Sequence, residues 1–237
     1  MKKNYIFFEF PIVFIFLILP PILQVESNSQ VWNKGFYMGA IIQLFIALFL
    51  DFQHYYTVKN LKCLEENKTL RFKTLVTVLK WWPLTFGLLM LIYAFFLTLS
   101  ILFPSVFSSS AFISYSFLDE KSKSIYFFKI LFILFSFISA AYYEEVLYRQ
   151  FFPNSLFFLG DFFLKKKNKV LQFLAESICL VFFALAHRYL GFAAVLNAAL
   201  CGLVLRICTI KTKSVYTGTL AHCLYNILLF LVLYKSS

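Results

Sequence analysis

Residues 141–152 read AYYEEVLYRQFF and set two adjacent carboxylates and an arginine inside a largely apolar and aromatic run over residues 125–159. Within a bilayer, each ionised group costs a few kcal/mol or more unless it is paired or hydrated. On an α-helix Glu145 and Arg149 are i, i+4 neighbours with the acid N-terminal, the better orientation for an ion pair. Glu144 is rotated by about 100° from Glu145. We therefore expect one structural carboxylate and one that is free to act.

The composition of the chain is that of a membrane protein. Of its 237 residues, 61% are hydrophobic, 21% aromatic and only 14% charged, which lies outside the range of soluble globular domains. Apolar runs of membrane-spanning length occupy most of the sequence. We expect an all-α fold, a polytopic transmembrane helix bundle of about seven spans.

The predicted spans follow one another along the chain, separated by short polar stretches. The first run is interrupted by an acid and lacks a small-residue cleavage pattern, so an uncleaved span is preferred over a signal peptide. Residues 54–80 are mixed and basic and predict an interfacial amphipathic helix. Pro153 is expected to kink or end the fourth span. The spans are Tyr5–Leu23, Gly35–Phe52, Trp81–Phe103, Ile125–Leu159, Val170–Ala186, Leu190–Ile210 and Val215–Tyr234.

The net charge of +11 is placed where a membrane protein needs it rather than on a nucleic-acid surface. If the N-terminus is cytoplasmic, fifteen Lys and Arg residues fall in cytoplasmic segments and five outside. This bias is the positive-inside pattern. We therefore predict a multi-pass integral membrane protein with a cytoplasmic N-terminus, in the plasma membrane if the cell is bacterial, and no nucleic-acid partner.

The five cysteines form no CxxC pair, and four of them lie in apolar segments. Buried free thiols that pack as small hydrophobes are the default for this pattern. Neither a disulfide framework nor a cysteine metal site is indicated.

Two i, i+4 pairs in later spans add polar groups to the glutamate pair. Phe183 and His187 lie near the end of span five, and His222 and Asn226 lie inside span seven. On a helix each pair shares one face. Singly, such residues are often hydrogen-bond partners between helices. Together with Glu144, Glu145 and Arg149 they supply what a hydrolytic site needs, namely a base, an orienting group and oxyanion donors.

Three elements in this order, Glu144-Glu145-x-x-x-Arg149, Phe183-x-x-x-His187 and His222-x-x-x-Asn226, resemble the CPBP family. This is the family of type II CaaX prenyl endopeptidases and bacteriocin-processing (Abi) intramembrane proteases. The run from Gly202 into His222 is similar to the family's approach to its last motif. The resemblance covers about residues 125–234.

The resemblance implies an α-helical membrane endopeptidase whose active site lies in a water-filled cavity. It implies that Glu144 is the general base for a water molecule that His187 helps to hold. His222 and Asn226 would donate hydrogen bonds to the oxyanion, and Glu145 and Arg149 would form a supporting ion pair. A zinc ion held by Glu144, His187 and His222 is the other mechanism described for the family, but the sequence has no HExxH helix, and the metal-free reaction is preferred.

Two other functions stay open from the sequence. Membrane carboxylates, histidines and arginines also mark the pathways of proton- or ion-coupled transporters, although no internal repeat supports one. A non-catalytic family member, acting as a bacteriocin immunity or scaffold protein, would carry the same motifs. The expected partners are the lipid bilayer and a membrane-associated or lipid-modified peptide, and we expect N-terminal spans over 1–124 and a protease core over 125–237.

Overall fold

The computed structural model describes residues 6–24, 35–61, 68–104, 123–164 and 169–236. In these residues the structure consists of helices joined by short turns and contains no strand. In chain order the helices are α1 (Ile6–Val13), a π-helical turn (Phe14–Ile18), α2 (Leu19–Leu23), α3 (Gly35–Leu61), α4 (Lys68–Leu102), α5 (Lys123–Glu145), a π-helical segment (Val146–Phe151), α6 (Phe152–Leu164), α7 (Lys169–Leu185), a 3₁₀ turn (Arg188–Leu190), α8 (Phe192–Thr212) and α9 (Val215–Ser236).

Seven stretches of the described residues are long and apolar enough to cross a membrane. Many of their large apolar side chains face outward rather than into the protein, as expected where lipid is the solvent. The prediction of an all-α membrane protein with seven spans is confirmed. The stretches are Ile6–Leu23, Met38–Tyr55, Val76–Leu102, Ile130–Leu164, Lys169–Leu190, Phe192–Thr212 and Val215–Val232.

Two helix boundaries differ from the sequence-based expectation. The basic segment 68–80 is not a separate interfacial helix, because α4 runs without interruption from Lys68 through Pro83 into the third span. The fourth span does not end at Pro153, because the helix continues from the π-helical segment through Pro153 to Leu164. The alternative, a kink at Pro153, stays a prediction. Residues 104–124, between the third and fourth predicted spans, lie almost wholly outside the described residues.

The chain divides into two compact units. Unit 1 consists of residues 1–27, 92–111 and 147–204, and unit 2 consists of residues 28–91, 112–146 and 205–237. The predicted division of the chain at residues 124 and 125 stays a prediction.

Aromatic packing builds the interior of unit 1. The ring of Phe14, in the π-helical turn, lies 6.1 Å from that of Phe152 and 5.6 Å from that of Phe182. Phe7 on α1 contacts Phe162 edge to face at 4.7 Å between centroids. Such pairs contribute about 0.5–1.5 kcal/mol beyond the area they bury, so they fix the first span against α6 and α7.

In unit 2, α5 packs against both α3 and α9. The buried Ser139 hydroxyl on α5 donates to the carbonyl of Ala40 on α3 at 2.5 Å, and the Phe137 ring meets the Phe230 ring of α9 at 5.6 Å.

The four cysteines within the described residues are free and buried, as predicted, and Cys63 lies outside them.

Candidate active site

Glu145 and His222 form a direct hydrogen bond inside unit 2. Glu145 is the last residue of α5 and is fully buried, with 0% of its surface exposed. Its Oε1 lies 3.0 Å from Nδ1 of His222, which is in α9. An ionised carboxylate only accepts hydrogen bonds, so Nδ1 carries the proton and donates it. This contact fixes the orientation of the imidazole ring and its tautomer.

Glu144 faces the other ring nitrogen of the same histidine. Its Oε2 lies 3.8 Å from Nε2 of His222, and 27% of the Glu144 side chain is exposed. This distance is too long for a direct hydrogen bond and is one at which a bridging water has to be considered. Adjacent in sequence, the two glutamates therefore have different surroundings: Glu145 is fully buried, whereas 27% of the Glu144 side chain is exposed although its Oε2 is buried.

The proton count of His222 decides what this cluster can do. With one ring proton, held on Nδ1 by Glu145, Nε2 is a hydrogen-bond acceptor. With a second proton the ring is an imidazolium, and Nε2 donates. The carboxylates of Glu144 and Glu145 lie at opposite nitrogens of the ring. Nε2 therefore accepts or donates a hydrogen bond according to the charge of the ring.

Gly218 leaves room for Glu145 to approach α9. The sequence had not indicated a role for this glycine. A Cβ at this position would lie 3.0 Å from Oε2 of Glu145, tighter than ordinary van der Waals contact, and at an ordinary 3.6 Å from Oγ1 of Thr209. Gly218 precedes His222 by four residues, so both lie on the same face of α9. The spacing of four residues between Gly218 and His222 is the sequence feature from which a role for Gly218 could have been predicted.

Asn226, the predicted second oxyanion donor, follows His222 by one turn of α9 and is half-buried. The spacing of four residues places it on the same face as His222. Its role stays a prediction.

Arg149 belongs to unit 1, where its guanidinium stacks on an aromatic ring. The central guanidinium carbon lies 3.8 Å from the centroid of Phe183, and Arg149 is buried. The ion pair with Glu145 was predicted from α-helical spacing. However, Val146–Phe151 is π-helical, with hydrogen bonds from i to i+5, so the geometry assumed for that prediction does not hold here. The ion pair stays a prediction.

His187, also in unit 1, lies just beyond the end of α7 rather than on its face. Its Nδ1 is 2.9 Å from the carbonyl oxygen of Phe183, and the two rings meet at 4.9 Å between centroids. Because a carbonyl oxygen only accepts, Nδ1 is the protonated nitrogen. In the neutral ring Nε2 is then left as an acceptor for water. The predicted contact between Phe183 and His187 is present, with a turn in place of the predicted helix.

A metal site was the alternative for Glu144, His187 and His222. Within the part of the chain that the structure describes, no three His, Cys, Asp or Glu side chains come together in a way that could hold a metal ion. The zinc site stays a prediction.

Comparison with known proteins identifies the segment that carries these residues. Residues 126–228 match the family model described as type II CAAX prenyl endopeptidase Rce1-like. All three motifs fall inside the match, which spans a little under half of the chain. The predicted family resemblance is thereby confirmed. Neither the search of curated proteins nor the search of solved structures found a match.

Proposed function

We propose, on the premise that residues 126–228 form an Rce1-like domain, that this protein is an intramembrane endopeptidase that cleaves a membrane-associated or lipid-modified peptide. The observation that carries the proposal is the position of the His222 ring between two carboxylates, 3.0 Å from Glu145 and 3.8 Å from Glu144. This arrangement supports a base and an imidazole held in one orientation.

In the proposed reaction Glu144 is the general base. It takes a proton from a water molecule as the water oxygen bonds to the carbonyl carbon of the peptide, and the carbonyl π electrons move onto its oxygen. When the tetrahedral intermediate collapses, the C–N bond breaks and Glu144 returns the proton to the leaving amine. General-base catalysis of this kind contributes about 10²–10⁴-fold to the rate.

His222, as an imidazolium, donates from Nε2 to the oxyanion of the intermediate. Glu145 compensates the imidazolium charge and holds the ring in place, in the role of the carboxylate in a catalytic triad. Preorganised donors of this kind are typically worth about 3 kcal/mol each. Asn226 as a second donor and His187 as a further partner of the water are assignments from the sequence motifs.

The test replaces Glu144 by Gln, which keeps the shape of the side chain and removes its basicity. Purified protein in lipid nanodiscs is given an internally quenched CaaX peptide, with and without a farnesyl group. We expect Glu144→Gln to lower the cleavage rate at least about 100-fold. The control is Glu176→Gln, the same substitution in α7, which should leave the rate unchanged.

The outcome also separates the enzyme from a non-catalytic family member. Normal cleavage by Glu144→Gln would contradict the assignment of the base. A second measurement covers substrates unlike the quenched peptide, because peptides that accumulate uncleaved in a null strain should disappear with the native gene and persist with Glu144→Gln. If the native gene and the variant restore the strain equally, the protein acts without catalysis.

A further inference from the structure

Asp51 accepts hydrogen bonds from two tyrosines on two different helices of unit 2. Tyr142 on α5 donates to Oδ2 of Asp51 at 2.7 Å, and Tyr216 on α9 donates to the same oxygen at 2.5 Å. Asp51 is on α3 and lies outside the segment that matches the Rce1-like family model. One carboxylate thus connects three helices.

This carboxylate lies within a candidate span, Met38–Tyr55, where a charge is costly unless it is satisfied. The two phenol groups offset this cost with charge-assisted hydrogen bonds, which are shorter and stronger than neutral ones. The rings of Tyr142 and Tyr216 also stack, with 6.1 Å between centroids and 17° between planes. Although 61% of Tyr216 is exposed, its hydroxyl is bonded to Asp51 instead of being left to solvent or lipid.

Both tyrosines stand close in sequence to the glutamate and histidine cluster. Tyr142 precedes Glu145 by three residues on α5 and therefore shares its face. Tyr216 is in the first turn of α9, two residues before Gly218, whose missing Cβ leaves room for Oε2 of Glu145. The connection through Asp51 therefore joins α5 and α9 next to the place where the Glu145–His222 hydrogen bond needs a close approach.

We infer that Asp51 is a positioning residue, which holds the first turn of α9 against α5 at the separation that the Glu145–His222 hydrogen bond requires. Its effect on the reaction rate rests on the proposed peptidase function. Its effect on the geometry of His222 does not. A catalytic group displaced by about 1 Å costs on the order of 100-fold in rate, so even a small separation of the two helices is measurable.

The experiment compares Asp51→Leu with Ser139→Ala. Ser139 also joins α5 to α3, because its hydroxyl donates to the carbonyl of Ala40. This hydrogen bond does not involve α9. We expect Asp51→Leu to lower kcat at least about tenfold with KM changed less than about twofold, whereas Ser139→Ala keeps kcat within about twofold. Asp51→Asn should recover most of the rate, because its carbonyl oxygen still accepts hydrogen bonds.

A second measurement does not depend on catalytic activity. In ¹⁵N-histidine-labelled protein, the Nδ1 proton of His222 is protected from exchange by its bond to Glu145. We expect it to exchange at least about tenfold faster in Asp51→Leu and at the native rate in Ser139→Ala. If Asp51→Leu does not fold, Tyr142→Phe and Tyr216→Phe each remove one donor and should each accelerate exchange.

The two readouts distinguish the possible failures. Unchanged exchange at His222 in all of these variants would overturn the inference, whatever the rate does. Faster exchange in protein that cleaves no peptide would support the positioning role while contradicting the peptidase. Equal losses of kcat in Asp51→Leu and Ser139→Ala would show that Asp51 only supports the fold, and would also overturn the inference.

Discussion

A single absent methyl group decides how closely α9 approaches Glu145. In Gly218→Ala the new Cβ would lie 3.0 Å from Oε2 of Glu145, so the carboxylate or the helix has to shift by a few tenths of an ångström. Because Glu145 also holds His222, we expect kcat to fall at least about tenfold and the stability to drop by about 1–3 kcal/mol, the usual cost of overpacking. Cleavage assays and thermal unfolding in detergent measure both effects.

The matched control for this substitution is Gly87→Ala, in the interior of α4. A Cβ there meets nothing within 4 Å, and alanine is the better helix former by about 1 kcal/mol. Gly87→Ala should therefore keep the native rate and should not lower the melting temperature. If Gly218→Ala behaved in the same way, the close approach of α9 to Glu145 would not matter for the reaction.

At the level of residues, the sequence marked Glu145 and His222 as candidates but did not predict the hydrogen bond between them. An arginine four positions after Glu145 made an ion pair within one helix the simplest expectation. The contact between Glu145 and His222 joins residues 77 positions apart, and no helical periodicity encodes such a separation. The π-helical segment after Glu145 was equally inaccessible, since nothing in the composition of VLYRQF separates it from an ordinary helix.

At the level of helices, Phe183 organises the described part of unit 1. Its ring lies under the guanidinium of Arg149 and contacts the rings of Tyr148 and His187. We expect Phe183→Leu to lower the stability by about 1–3 kcal/mol, from the lost ring contacts and a cation–π interaction of about 0.5–2 kcal/mol. The melting temperature and the cleavage rate should both fall.

The control for Phe183 is Phe173→Leu on the same helix. Phe173 is exposed and faces the environment of lipid or detergent, where leucine is equally apolar. Its replacement should leave the melting temperature within about 1 °C of the native value. An equally small change for Phe183→Leu would mean that the ring contributes little to unit 1.

The helix boundaries show which parts of the secondary structure the sequence encodes. Hydropathy located all seven spans because a bilayer of about 30 Å imposes a minimum apolar length. It could not show that residues 68–80 continue into the third span, since basic residues at helical spacing fit an interfacial helix equally well. Nor did Pro83 break α4, because a proline in a membrane helix is tolerated where its surroundings satisfy the freed carbonyl.

At the level of the whole molecule, the distribution of charge predicts the orientation of the chain. Fifteen Lys and Arg residues fall in segments assigned to the cytoplasm and five in segments assigned to the outside, the bias that sets topology in membrane insertion. Seven predicted spans would place residues 2 and 237 on opposite sides of the membrane. The loop after α6, which contains Lys165 to Lys167, is predicted to be cytoplasmic.

Cysteine labelling in intact bacterial cells tests this orientation. The background is Cys63→Ser, because the other four cysteines are buried and should not react with a membrane-impermeant maleimide. In that background we expect Ser237→Cys to be labelled in intact cells, whereas Lys166→Cys should be labelled only after the membrane is permeabilised. Because positive charge is retained on the cytoplasmic side, the opposite pattern would require the entire chain to be inverted. It would then place the basic loops outside, against the charge bias from which the orientation was predicted.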